Sequence, residues 1–191
     1  MRHDKRKWAG ILGGALLATG AAWAAVAPLE FPEKMSLAGK PLVKNGEGMR
    51  TAIFGIKVYK AALYLPEKSD DAAKVLASKA PKQLEMRFLR NVSAEDMRKA
   101  WDDNFRKNCA TDCEKGLAEL EKVKGWMKDA KDGDLLTLEL LPGSVKLSMN
   151  GTMLGETKET PADGAFANQL LGIWLGEHPP SGSLKAGLLG H

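Results

Sequence analysis

The run Leu135-Leu-Thr-Leu-Glu-Leu-Leu-Pro-Gly-Ser-Val-Lys-Leu-Ser-Met-Asn-Gly-Thr-Met-Leu-Gly-Glu-Thr-Lys-Glu159 decides the fold class. It reads as three strands in quick succession, over residues 135–141, 145–149 and 152–159. Asn150-Gly151 is the favoured pair for a two-residue type I′ hairpin, whose two central positions both need positive φ, so the last two strands pair antiparallel. Strands and helices elsewhere also come in runs and do not alternate as βαβ units. The chain is therefore expected to be α+β, with an antiparallel sheet covered by helices on one face.

Upstream, residues 29–42 form a lead-in broken by Pro32 and Pro41. Gly46-Glu-Gly-Met49 marks a turn, and Arg50 leads from it into a strand over 53–65 rich in Ile, Val, Leu and Tyr. A short helix over 69–78, capped by Ser69 or Asp70, precedes a strand over 82–89 with Leu84, Met86 and Phe88 on one side. Ser93-Ala-Glu-Asp96 opens a helix whose apolar stripe is Met97, Ala100, Trp101 and Phe105. Asn104, seven residues from Met97 and four from Ala100, points its amide along that buried face. A second helix carries Leu117, Leu120 and Val123. Near the C-terminus, Asp163 caps a long helix bearing Phe166, Leu170, Ile173 and Trp174, stopped by Gly176 and Pro179-Pro180, and 183–189 adds a further turn or two. With no repeat and no linker, this is one domain.

The 191 residues carry 28 Lys+Arg against 24 Asp+Glu, a formal net charge of +4. Four of those bases, Arg2, Lys5, Arg6 and Lys7, precede an uncharged stretch over 8–23 that ends in Ala22-Trp-Ala24. A basic start, an apolar centre and a small-x-small site describe a signal peptide over residues 1–24. The apolar part is shorter than the ~20 residues a spanning helix prefers. Cleavage after Ala24 leaves 25–191 as the folded domain, with 24 bases against 23 acids and a net charge of +1. A near-neutral chain offers no electrostatic case for nucleic acid. The expected location is periplasmic or secreted, with membrane contact only transient, through the signal peptide.

Two cysteines cannot carry a disulfide scaffold, but Cys109 and Cys113 lie four apart in a polar stretch. On a regular helix that spacing holds the Cβ atoms too far apart for a bond needing ~3.8 Å. If 108–112 is a turn between helices, a small disulfide loop closes, which an oxidising compartment would tolerate. A metal site lacks a third ligand nearby. Catalytic motifs are absent: no G-x-S-x-G, no phosphate loop, no H-E-x-x-H, no C-x-x-C. His178 and His191 read as solvated residues of a turn and a terminus, unsuited to ligating a haem. No cofactor is implied. Arg50 and Tyr59 stand out, since an Arg beside an apolar sheet face holds a carboxylate or phenolate with a Tyr hydroxyl as second donor. The plain alternatives are a surface ion pair for Arg50 and core packing for Tyr59.

Taken in order, Asn45-Gly-Glu-Gly-Met-Arg50, Lys57-Val-Tyr-Lys-Ala-Ala-Leu-Tyr-Leu65, Met86-Arg-Phe-Leu-Arg-Asn-Val-Ser93, Asn150-Gly-Thr152, Ile173-Trp-Leu-Gly-Glu-His-Pro179 and Leu184-Lys-Ala-Gly-Leu-Leu-Gly190 resemble the chalcone isomerase superfamily, in its bacterial exported branch. The resemblance implies an open-faced β-sandwich, a long antiparallel sheet layered with helices and a ligand cleft between them. In the plant enzymes an Arg at the Arg50 position orients a substrate that cyclises by phenolate attack, helped by a Thr, a Tyr and an Asn. Here the Thr position falls on Tyr59, the helix after Ser93 contains no Tyr, and Asn104 is the nearest amide. Arg followed by a strand Tyr is instead similar to the non-catalytic fatty-acid-binding members. The resemblance thus implies a small amphipathic anion held by Arg50, Tyr59 and Asn104, with Met97, Trp101, Phe105 and Phe166 in the cleft wall. An isomerase or intramolecular lyase acting on another substrate, and a ligand-free structural or partner-binding protein, are the alternatives.

Overall fold

The computed structural model describes residues 30–158 and 164–191. The signal-peptide reading of residues 1–24 and the Asp163 cap fall outside them. Seven strands lie in one antiparallel sheet in chain order: β1 (Lys34–Leu37), β2 (Lys40–Thr51), β3 (Lys57–Leu65), β4 (Lys82–Phe88), β5 (Leu135–Leu141), β6 (Ser144–Met149) and β7 (Thr152–Glu156). Local turn chemistry produces this meander. Ala38-Gly39 between β1 and β2, and Asn150-Gly151 between β6 and β7, have positive φ at both central positions, as type I′ hairpins require. The last strand stops at Glu156, short of the expected 159.

Five helices stand among the described residues: α1 (Ala72–Ala77), α2 (Ala94–Asn108), α3 (Cys113–Trp126), α4 (Ala165–Leu175) and α5 (Gly182–Leu188). α2 starts at Ser93, whose hydroxyl accepts the Asp96 N–H, and it buries Met97, Trp101 and Phe105 on one face. α4 buries Phe166, Leu170, Ile173 and Trp174. These faces meet the sheet residues Ala61, Leu63, Leu84, Met86, Phe88, Leu136, Leu138 and Leu147 in one main core. The other sheet face forms a smaller cluster of Phe31, Leu37, Leu42, Ala62 and Tyr64. The sheet curls around its helices as a half-barrel, so the α+β expectation holds.

Asp71, not Ser69 or Asp70, caps α1, its carboxylate accepting the Ala73 and Lys74 N–H groups. Two further sequence expectations fail here. Gly46-Glu-Gly-Met49 is not a turn but the middle of β2, paired with β3 from Val43 to Thr51. The glycines are there because α5 crosses the strand: a Cβ on Gly46 or Gly48 would collide with the backbone of Gly187 or Leu184. Asn45 sits at the adjoining β-bulge, donates to Leu188 O at 2.8 Å and to Ser69 O at 2.9 Å, and accepts the Ser69 N–H at 2.7 Å. The predicted strand over 53–65 also begins late, at Lys57, because residues 53–55 form a single tight 3-10 turn.

Lys82 is a strand lysine with almost no exposure. Its ammonium donates to Ser78 O at 2.5 Å, Ala80 O at 3.2 Å and Asn168 Oδ1 at 2.9 Å, tying the end of α1 to α4. Burial pushes its pKa down to about 8 from 10.5. The unfolded chain then binds more protons between those values, so this group favours folding progressively more as pH rises through the window. Urea unfolding of wild type and Lys82→Met is expected to show wild type gaining about 1–2 kcal/mol relative to the variant across that window. Parallel pH profiles would contradict the account.

Candidate functional site

Strand register places Arg50 of β2 directly opposite Tyr59 of β3, and Tyr59 opposite Phe88 of β4. Directly opposed residues share a sheet face. Alternation along β3 makes this the helix-covered face, since Tyr59 points the same way as Ala61 and Leu63. α2 brings Met97, Ala100, Trp101 and Asn104 against these strand ends, and α4 brings Ile173 and Trp174. Between them lies a cavity of about 200 Å³ beside Arg50 and Tyr59, walled mostly by Met, Phe, Trp, Ile and Val. The three residues singled out in the sequence, Arg50, Tyr59 and Asn104, all line it.

The polar groups are few. The Trp174 indole N–H donates to the Tyr59 hydroxyl at 3.1 Å, and the Trp174 ring meets Trp101 edge-on with centroids 5.0 Å apart. Burial pushes the Tyr59 phenol up to about 12, against the pull of that indole donor and of the Arg50 charge, so the phenol is neutral at ordinary pH. Because the indole occupies one lone pair, the phenol proton points elsewhere. It finds no acceptor among the described residues. The Arg50 guanidinium donates to the carbonyl of its neighbour Thr51 and has no carboxylate partner among the described residues. Asn104 spends one amide proton on Ala100 O at 2.7 Å, leaving its second N–H and its oxygen. The one acid in the lining, Asp96, is exposed at the rim, where it accepts the Ser93 hydroxyl at 2.7 Å.

The structure moves two expected wall residues elsewhere. Phe105 and Phe166 do not line the cavity; their rings pack on each other, centroids 6.3 Å apart, deeper between α2 and α4. Trp174, read in the sequence only as a core residue, orients Tyr59. A buried indole N–H needs an acceptor, but the sequence offers many and does not single out Tyr59. Cys109 and Cys113 are bonded to each other with Cα atoms 5.7 Å apart, away from the cavity. α2 ends at Asn108 and Asp112 takes φ +51°, which breaks the helix that would otherwise hold the sulfurs apart. His178 is exposed and joins α4 to α2 through its backbone, whose N–H donates to Asn108 Oδ1 at 2.8 Å. No group of three or more His, Cys, Asp or Glu residues positioned for a metal ion occurs among the described residues.

A model of the chalcone isomerase-like family matches residues 23–190. The chain belongs to the chalcone isomerase-like family. A search of curated protein sequences found no match. Among solved structures, a fatty-acid-binding protein of Arabidopsis thaliana is similar, with a TM-score of 0.64 at 12% identity over 83% of this chain and 90% of that one. At that identity the likeness concerns the fold. It agrees with the curled antiparallel sheet and the helical layer that define the cavity in this chalcone isomerase-like chain.

Proposed function

We propose that the protein is an exported, non-catalytic binder of a fatty acid or similar amphipathic anion, with Arg50 and Tyr59 as its polar anchors. One observation carries the reading: among the described residues, a guanidinium without a carboxylate partner and a phenol proton without an acceptor line one apolar cavity. A carboxylate satisfies both by charge-assisted hydrogen bonds, while its tail takes the Met, Phe and Trp wall. The Arabidopsis structure, named as a fatty-acid-binding protein, supports that ligand class. The cavity also weighs against a filled, ligand-free core. Binding is favoured over an isomerase because the polar set that orients the phenolate in the plant enzymes is incomplete here: Tyr59 stands at the Thr position and α2 carries no Tyr. Export rests on the N-terminal pattern of residues 1–24.

At about 200 Å³ the cavity is smaller than the ~300–1,000 Å³ of drug-sized sites. Short- and medium-chain acids therefore fit within it, and longer tails extend past the rim. Calorimetric titration with octanoate, dodecanoate and palmitate, each beside its methyl ester, tests this. The acids are expected to bind about ten-fold or more tighter than the esters, because an ester loses the charge that Arg50 pairs with. Equal binding of acid and ester, or binding of neither, defeats the proposal.

A further inference from the structure

The turn between β2 and β3 leaves Ile53, Phe54 and Ile56 exposed to 76%, 97% and 45%. Phe54 holds φ +61° and ψ +25°, a left-handed conformation that bulky side chains rarely adopt. Folding gains nothing from a phenylalanine that is both strained and bare. The tip is uncharged from Thr51 to Ile56, and from Gly48 to Lys60 the chain carries no acid. Lys57 follows the tip directly, and Arg90 stands beside it on the neighbouring strand's exit, where the Leu89 N–H reaches Val58 O at 2.9 Å. Lys60 is already paired with Glu47 at 2.6 Å, whereas no carboxylate partner appears for Lys57 or Arg90 among the described residues. Of the acids at this end of the sheet, Asp134 accepts from the Lys131 N–H and Asn150, and Asp129 from the Ala94 N–H. Asp132, whose own N–H donates to Asn91 Oδ1, is exposed with no ion-pair partner among the described residues, so the tip's bases face one nearby free acid.

We infer that this hairpin tip docks on an anionic lipid surface, with Ile53, Phe54 and Ile56 entering the interfacial layer and Lys57 and Arg90 meeting headgroup phosphates. Aromatic and aliphatic side chains with flanking bases are what such a layer accepts. The sequence reading confined membrane contact to residues 1–24; the tip adds a second contact belonging to the folded domain. The same hairpin carries Arg50 and Tyr59, so a docked tip holds the cavity rim against the phase in which amphipathic acids partition. That use of the contact rests on the binding function proposed above, whereas the docking itself does not.

The test is flotation of the full chain, as it accumulates in the cell, with vesicles of phosphatidylcholine alone or with phosphatidylglycerol added to a third. The Ile53→Ser/Phe54→Gly double variant is expected to partition about ten-fold or more weakly than wild type. Glycine suits the backbone at 54, so an unchanged melting temperature accompanies the loss. Lys57→Gln/Arg90→Gln is expected to weaken binding to the anionic vesicles only. The emission difference between F54W and wild type, in which the signal of the five native tryptophans cancels, is expected to shift to the blue and to be quenched by brominated lipid, which reads the tip itself. Wild-type partition of the double variant, or an unshifted F54W difference spectrum, overturns the inference. Loss of a dimer in the double variant without a change in vesicle binding also overturns it, in favour of a second copy as the partner. Tip-dependent docking with equal affinity for acid and ester leaves docking standing and removes only the carboxylate reading.

Discussion

Replacing Arg50 by Met is expected to weaken binding of a medium-chain carboxylate by about 50-fold, or about 2–3 kcal/mol, while leaving the melting temperature almost unchanged. The two expectations separate because Arg50 does little for the fold. Among the described residues its guanidinium donates to the next residue's carbonyl and enters no ion pair. Met keeps an apolar stem of similar length against the cavity wall, so the change removes the charge and the donor fork without leaving a void. The loss is large because an anion entering this cavity leaves water for Met, Phe and Trp surfaces, and without Arg50 only the Tyr59 proton and one Asn104 N–H compensate. Arg50→Lys, which retains charge but not the planar fork, should fall between the two. Titration of octanoate into each variant decides it. If R50M binds as tightly as wild type, the anchor lies elsewhere and the polar pair has only a packing role.

How far the molecule could be read from its sequence depends on where each residue's reason lies. The β5–β7 region was legible because its causes are local: alternation, and a hairpin pair in Asn150-Gly151 whose positive φ values are properties of those two residues. The α2 stripe was legible for the same reason, since Met97, Trp101 and Phe105 follow helical spacing. β2 was not. Gly46 and Gly48 carry the composition of a turn, but their cause is a helix that arrives some 140 residues later in the chain. The site divides in the same way. Arg50 and Tyr59 could be named from residue type and resemblance. That they face each other on one wall follows from the β2–β3 register, and that the Tyr59 lone pair is taken by Trp174 follows from how α4 packs. Phe105 and Phe166 illustrate the converse, apolar residues on correct helix faces whose depth in the core no periodicity reports.

The glycines of β2 also carry the second large expected effect. Gly48→Ala is expected to cost about 2–3 kcal/mol of stability, mostly by forcing α5 off the sheet. A Cβ at position 48 would lie 2.6 Å from the Leu184 carbonyl oxygen and 3.1 Å from the Leu184 Cα. Both atoms are backbone, so no side chain can rotate away. β2 itself is held at this position by its pairing with β3, Gly48 lying opposite Ala61. The helix must move instead, and with it go the burial of Leu184 and Leu188 and the Asn45 bond to Leu188 O at 2.8 Å. Gly125→Ala in α3 is the matched control: nothing lies within 4 Å of its added Cβ, and alanine is the better helix former by about 1 kcal/mol, so this change is expected to be neutral or mildly stabilising. Urea midpoints of the two variants give the comparison, and amide exchange across 182–189 locates the loss. Equal effects from both alanines, or destabilisation by Gly48→Ala with α5 amides still protected, would mean that the close crossing of α5 over β2 is not what these glycines serve.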